Sequence, residues 1–450
     1  MNKYLTLTTC AMALAANVIA QEEEAAPKSR LTIGGYGEAV MTRNFYSDNI
    51  YRYSRPYEHK DDDSHGRFDL PHVVINLGYD FGHGWTMGME IEFEHGGVES
   101  AVEMDADESG EYEAEVEKGG EVALEQFWIN YEWNKALNLR MGEIIVPVGA
   151  ANAYHMPNEF FTVYRPEGEA TLFPNTWHQV GLSIWGRTRQ LKYEAQFLSA
   201  LNSERFGSES FVHYGAASPY EFKVANGYAA AGRLDYYALQ DATHRLRLSV
   251  SGYYGRTFSN TLRSIGANYK DVKGDLAIGA FDFQYKWSNL LTVRGNIDYA
   301  HLGDATKITA FNKAFPTHTG QDGSPSKHQP VAKNAFCYAA EAGVNLFALV
   351  PNSSLLTSHS SLTLFGRYEY YNSMESSNQS AAYNWCGKKR FAIGINYSPV
   401  SEIIIKAEYS HRMFKDSGLT YTSSDGNTYP LKYNDEPSIS VGVTYCGWFK

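Results

Sequence analysis

The sequence predicts an all-β fold, a transmembrane antiparallel β-barrel of about 16 strands whose third long loop folds inward. Three observations carry that expectation. The first is strict alternation. In residues 85–95, W-T-M-G-M-E-I-E-F-E-H, the side chains of Trp85, Met87, Met89, Ile91, Phe93 and His95 share one face. Thr86, Gly88, Glu90, Glu92 and Glu94 share the other, because successive side chains of a strand point to opposite sides. A helix would scatter the three glutamates around its circumference, and the length suits a tilted strand crossing a bilayer. The second is composition. Mean hydropathy is −0.40, yet 14% of the 450 residues are aromatic, with 33 tyrosines and 39 glycines. A chain of this size around one packed core is ordinarily greasier, whereas a barrel that fills its interior with water need not be. The third is that short and long links alternate. A soluble sandwich, the rival for any single stretch, has no reason to sort its loops by length.

Taken in order, residues 1–20 read as a secretory signal: Lys3 gives the positive start, 5–19 the apolar stretch and Val18-Ile19-Ala20 the cleavage site. A lipoprotein signal ending at Cys10 fits less well, since Leu7-Thr8-Thr9 lacks the expected small residue. Residues 21–30 form a polar leader, and 31–450 form the barrel. Strand candidates are 31–43, 67–79, 85–95, 122–133, 137–148, 177–185, 191–199 and 228–239. They continue at 245–256, 276–287, 291–301, 336–347, 362–371, 391–397, 403–413 and 439–449. In 245–256, Leu246, Leu248 and Val250 alternate with Arg245, Arg247 and Ser249; in 276–287, Phe281, Phe283, Tyr285 and Trp287 share a face. Links such as 134–136, 240–243 and 288–289 are short, whereas 44–65, 96–119, 149–175 and 303–333 are long loops. Aromatics near strand ends (Tyr131, Trp133, Trp177, Trp185, Trp287, Trp448, Phe449) suit the two bilayer interfaces.

If the apolar faces meet lipid, the opposite positions line a lumen. By parity these include Glu90, Glu92, Glu94, Arg140, Arg233, Arg245, Arg247, Arg294, Asp298, Arg367, Lys406 and Arg412. So many unpaired charges are untenable in a packed core, and rings of charge in a narrow aqueous pore set ion selectivity. Pairs such as Arg367/Glu369 and Lys406/Glu408 are also readable as ion pairs along the wall. Loop 149–175 carries Phe160, Phe161, Tyr164, Leu172 and Phe173, which an outside loop would expose. Folding it inward buries them and brings Glu159, Arg165, Glu167 and Glu169 to the narrowest point.

About 16 strands, the long third loop and the run from Gly142-Glu143 through Pro147 to the Trp177 strand resemble Gram-negative general and substrate-specific porins. The resemblance is in particular to the phosphate-selective porin O/P-like family of Bacteroides-type bacteria, and it covers essentially the whole mature chain. It implies outer-membrane location, a lumen constricted by 149–175, wall cations at Arg140, Arg233, Arg294, Arg367 and Lys406 that guide anions, and a homotrimer. Three acids in the loop, Glu159, Glu167 and Glu169, against Arg165 run counter to an anion filter. The final aromatic, Phe449, stands one place before the usual position.

The net charge of −12, or −13 once Lys3 is removed, argues against a nucleic-acid partner. Three cysteines after processing, Cys337, Cys386 and Cys446, give no disulfide framework or zinc spacing. The run His59-Lys60-Asp61-Asp62-Asp63-Ser64-His65 reads as a solvated acidic loop rather than a cation site. No cofactor is expected. The sequence therefore predicts a non-enzymatic diffusion channel for small hydrophilic solutes or ions, with anions such as phosphate among the candidates. Its rivals are a closed structural or adhesive barrel and an outer-membrane hydrolase. For the hydrolase, His155, His178, His244 and His301 lack neighbours that would activate a nucleophile.

Overall fold

The structure, a computed structural model, describes residues 30–53, 55–95, 99–106, 112–119, 122–216, 224–261, 269–314, 330–350, 360–375 and 381–449. The expected signal and nearly all of the polar leader lie outside these residues. Sixteen strands form a closed antiparallel barrel. They are β1 (Leu31–Ser47), β2 (Val73–Gly82), β3 (Trp85–Phe93), β4 (Val122–Asn134), β5 (Leu137–Ile145), β6 (His178–Arg187), β7 (Leu191–Ser199) and β8 (Tyr228–Gln240). The second half is β9 (His244–Arg256), β10 (Asp275–Trp287), β11 (Leu291–Leu302), β12 (Asn334–Asn345), β13 (Ser361–Glu375), β14 (Gly387–Val400), β15 (Ile403–Phe414) and β16 (Glu436–Trp448). Each pairs with its chain neighbour, and β1 closes the ring on β16 from Gly34↔Trp448 to Asn44↔Ser438. Closure removes the sheet edges, so the backbone groups are paired around the whole wall.

Two strands depart from regularity for readable reasons. The upper half of β1 pairs not with β2 but with Ser64–Asp69, through Val40↔Asp69 to Ser47↔Ser64. The break between the two pieces falls at Leu70-Pro71-His72, where Pro71 has no N–H to give the ladder; the His72 carbonyl instead accepts from Glu38 N at 2.9 Å. On β4 the register against β3 slips between Glu90↔Gln126 and Ile91↔Leu124. Glu125 is the extra residue of this bulge, and a bulge re-aims side chains. Glu125 and Gln126 consequently both lie off the outward face, between outward Leu124 and Phe127, and Trp128 turns inward after them.

The alternation places large apolar side chains outside. Ile75, Val122, Leu124, Leu182, Ile184, Val250, Ile297, Ile393, Ile405, Val441 and Val443 are all exposed on the outer wall. Beside the short turns, Trp85, Trp133, Trp287 and Trp448 are exposed as well, and Tyr131 packs its ring 4.8 Å from both Trp85 and Trp133. Such a band flanked by aromatics suits a bilayer. Trp177 and Trp185 do not belong to it. Both are buried inside, at 0% and 5% exposure, because their parity is opposite to that of outward Val180, Leu182 and Ile184.

Two further corrections concern loops. Residues 96–119 hold a hairpin, Glu99–Ala106 with Tyr112–Gly119, in register from Glu99↔Gly119 to Ala106↔Tyr112. Here Val102 stands opposite Val116 in the register, in a stretch whose acid content hides its alternation. More important, the interior is not left wholly to water. Val146, Val148, Leu172 and Phe173 of the third loop pack with Leu201, Phe206, Phe211 and Val212 of the fourth, Phe258 and Val272 of the fifth, and Ile308, Phe311 and Val331 of the sixth. They rest on inward Leu198, Tyr253, Leu276 and Leu302. A helix, Ala305–Ala314, contributes Ile308 and Phe311 to this core. The apolar core of the molecule therefore sits at the loop end, inside one side of the barrel.

Candidate functional site

The third loop enters the lumen from β5 and returns at β6. It holds two short helices, α1 (Ala150–Ala153) and α2 (Glu167–Leu172). Glu169 ties them together by accepting from the N–H groups of Ala150 and Ala151 at 2.7 and 2.5 Å, where the exposed donors of a helix start favour a carboxylate. Expected at the narrowest point, Glu169 is instead buried as an internal brace.

Across the lumen, the far wall grips the loop. Lys406 donates to the carbonyls of Pro157, Phe160 and Thr162 at 2.7, 3.1 and 2.9 Å and lies 4.3 Å from the Phe160 ring centre. Glu408 accepts from Val163 N at 2.9 Å and Glu369 from Gly168 N at 3.1 Å. Glu167 receives Arg412 at 2.6 and 2.9 Å, Arg390 at 3.1 Å and the Tyr371 hydroxyl at 2.7 Å. Burial works against the Glu167 charge, but Arg412 and Arg390 outweigh it and hold the carboxyl well below the usual range. Phe160, Leu172 and Phe173 are buried as a result.

The inward-facing charges thus divide into three groups. Lys406 is 1% exposed and Asp298, beside Cys337 and Asn296, is equally sealed; both point inward but lie beneath the loop. Arg233, Arg367 and Arg412 are matched by carboxylates: Arg233 by Asp235 and Asp282, each at 2.8 Å, Arg367 by Glu341 and Glu369, and Arg412 by Glu167 and Glu436. Arg140, Arg247 and Arg294 lie over aromatic rings as well as beside carboxylates, Arg140 with Glu194 at 4.0 Å and Arg247 with Asp282 at 3.2 Å. Arg140 lies 5.0 and 5.2 Å from the ring centres of Trp128 and Trp185, and Arg247 lies 3.7 Å over Tyr154. Arg294 pairs with Glu341 at 2.8 Å, and Arg245 is exposed at the turn end.

By sign, the wall splits. From β5 to β15 nearly every strand turns a basic side chain inward. The inward positions of β1 to β4 carry Glu38, Glu90, Glu92 and Glu125 and no Lys or Arg. Glu94 follows the end of β3 on the same side. Between the halves, against the loop, lies a cavity of about 130 Å³. Its lining includes Glu90, Arg140, Tyr154, His155, Glu159, Trp185, Lys192, Glu194, Arg233 and Asp235. Burial, together with the charge of Arg165, pushes the His155 imidazole down to about 4, so it is neutral at pH 7. Arg165 itself donates to Thr176 at 2.8 Å.

Sequence reasoning missed Arg390, which bridges Glu167, Glu369 and Glu408. It lies one residue before the start assigned to its strand, and only cross-strand register would have included it. Lys192, opposite Asp235 and on the same strand face as Glu194, and Lys286, opposite Arg245, were missed as well, although the parity of their strands turns both inward.

No family model matches the chain. An uncharacterized protein of Aquifex aeolicus (strain VF5) is 24% identical over 401 residues, covering 86% of this chain and 77% of that one. Among solved structures, OprB of Pseudomonas putida superposes with a TM-score of 0.51 at 8% identity, over 93% of this chain and 94% of that one. The barrel has a porin-like fold. OmpF of Salmonella typhi gives 0.50 at 9% identity, over 92% and 97%. At such identities the likeness is one of fold.

Proposed function

We propose that the chain is an outer-membrane diffusion channel, a passive pore for small hydrophilic solutes with no covalent chemistry. The observation that carries this reading is the charged cavity left between the inward loop and the wall of a closed barrel that is apolar outside and charged within. A charged, water-filled lumen is what an adhesive barrel does not need and a pore does. Around the cavity stand four carboxylates, Glu90, Glu159, Glu194 and Asp235, against Arg140, Lys192 and Arg233. That balance supports neutral or cationic solutes over phosphate. Lys406, Arg367 and Arg412, which the resemblance offers as wall cations or which parity placed at the lumen, are occupied by the loop and by carboxylates. Secretion by a cleaved signal and assembly as a homotrimer are part of the same proposal.

The test is a planar-bilayer recording of the purified, refolded protein under a salt gradient. Stepwise conductance is expected, with a reversal potential of the sign for modest cation preference and steps in threes for a trimer. A silent bilayer with correctly folded protein would overturn the channel; a strongly anion-selective pore would overturn the stated preference.

A further inference from the structure

From β8 to β16, the buried carboxylates of the wall other than Asp298 meet an arginine: Asp235, Asp282, Glu341, Glu369, Glu408 and Glu436 all do. The acid arc is different. Among the described residues, Glu90, Glu92 and Glu125 have no Lys or Arg nitrogen within ion-pairing distance, and their only paired bases are His155, 4.0 Å from Glu90, and His72, 2.5 Å from Glu92. Buried anions without compensation are costly, so this part of the wall is short of positive charge.

Within the arc, three groups from separate positions converge. An imidazole nitrogen of His72 and a carboxylate oxygen from each of Glu92 and Glu94 all lie within 4.8 Å of one another. His72 is placed by the break in the second strand; Glu92 and Glu94, two residues apart, share the inward side of β3. A second, independent feature points at the same spot. The β4 bulge turns Glu125 inward to hydrogen-bonding range of Glu92. Glu125 is 2% exposed, and its Oε2 has no hydrogen-bond partner. Two carboxylates at that range need a proton or a cation between them. Arg165 adds positive charge nearby but spends its Nη1 on Thr176.

We propose that His72, Glu92 and Glu94 bind a divalent cation of the zinc class, with Glu125 closing the buried side. The nitrogen ligand decides the class. Calcium and magnesium take oxygen ligands, whereas imidazole with carboxylates suits zinc at about 2.0–2.2 Å from each ligand atom. In such a site the cation replaces the shared proton of the His72–Glu92 hydrogen bond. His72 and Glu94 are only half-buried, which leaves an entry path and room for the His72–Glu92 pair to open from 2.5 Å toward the ~3.4 Å that separates the ligand atoms of a tetrahedral zinc, and for Glu94 to adjust with it.

The experiment strips the purified full-length protein with a chelator in detergent and titrates it with Zn²⁺ against a chromophoric competitor. One Zn²⁺ per chain is expected, with affinity falling at least tenfold in His72→Ala and in Glu94→Gln, and roughly ten- to a hundredfold in Glu125→Gln. Asp62→Asn, at the exposed His59–Asp62 pair, binds like the parent. Heat-dependent gel mobility shows that each variant is folded, and Glu94→Gln, at the strand end, keeps the test open if His72→Ala does not fold. No Zn²⁺ bound, unchanged affinity in folded His72→Ala or Glu94→Gln, or uptake of Ca²⁺ in preference to Zn²⁺ would each overturn the proposal. The readout is metal and not current, so it stands or falls separately from the channel.

Discussion

Replacing Glu167 by Gln removes one charge from the clasp that holds the third loop against the far wall and leaves its shape intact. The carboxylate accepts from Arg412, Arg390 and Tyr371. A hydrogen bond to a charged group contributes about 1.5–3 kcal/mol. Glutamine keeps one acceptor, and the site retains some contact with water, Glu167 being 22% and Arg412 28% exposed in their side chains. A net loss of about 2–3 kcal/mol follows, or roughly 30- to 150-fold in the docking equilibrium. The assay is single-channel recording: the variant should show frequent excursions to higher conductance as the loop leaves the wall, at voltages where the parent is quiet. Acid should reproduce the effect in the parent. The docked Glu167 is held below the ordinary carboxylate range, so its contribution is complete above about pH 4.3, the free value, and drains away as the pH falls through the lower docked value. The Gln variant should be insensitive over that interval. Identical noise in parent and variant at pH 7, or a parent whose loop loosens between pH 7 and 5, would refute the assignment of Glu167 as the clasp.

Other outcomes follow from neighbouring geometry. Lys406→Met leaves three loop carbonyls without their donor and should loosen the loop at least as much as Glu167→Gln, read by the same recordings and by protease access to 156–163. Arg140→Gln should move the reversal potential toward the cation limit with the barrel's heat-dependent mobility unchanged, since it removes a cation from the cavity and leaves the wall intact. Gly88→Val would place its side chain on the Trp128 indole, costing about 1–3 kcal/mol by overpacking. It should shift tryptophan emission together with conductance. Burial pushes the Cys386 thiol up to about 12, so at pH 8 its labelling by maleimide should be roughly a thousandfold slower than that of a free cysteine; rapid labelling of the folded protein would count against the packing at the β13–β14 loop.

The wall was legible because alternation, at period two, survives in a single strand. Residues 191–199 were delimited as observed, and the parity of Arg247 or Arg367 followed without any knowledge of neighbours. The bulge at Glu125 was not legible, because an extra residue shows only against the partner strand, and neither was the inward turn of Trp177 and Trp185, whose aromatic character suggested an interface although their parity opposed it. Lys406 marks the deeper limit: periodicity says which way a side chain points but not that a loop will cover it. The loop core escaped for a related reason. Phe206, Phe211, Phe258 and Phe311 are scattered over three loops with no shared period, and only tertiary contact makes them one body.

That shared body limits how the chain can change. Four loops that pack through common phenylalanines cannot be exchanged or shortened one at a time, since each removal would uncover the others' apolar surface. Freedom to vary on the face that the long loops form is left to segments outside that core, such as the first and last long loops, where Tyr57 stacks on Tyr429 at 3.6 Å. A surface so divided would have one half held fixed by the shared core and one half free to vary, and alteration by insertion should concentrate on the second.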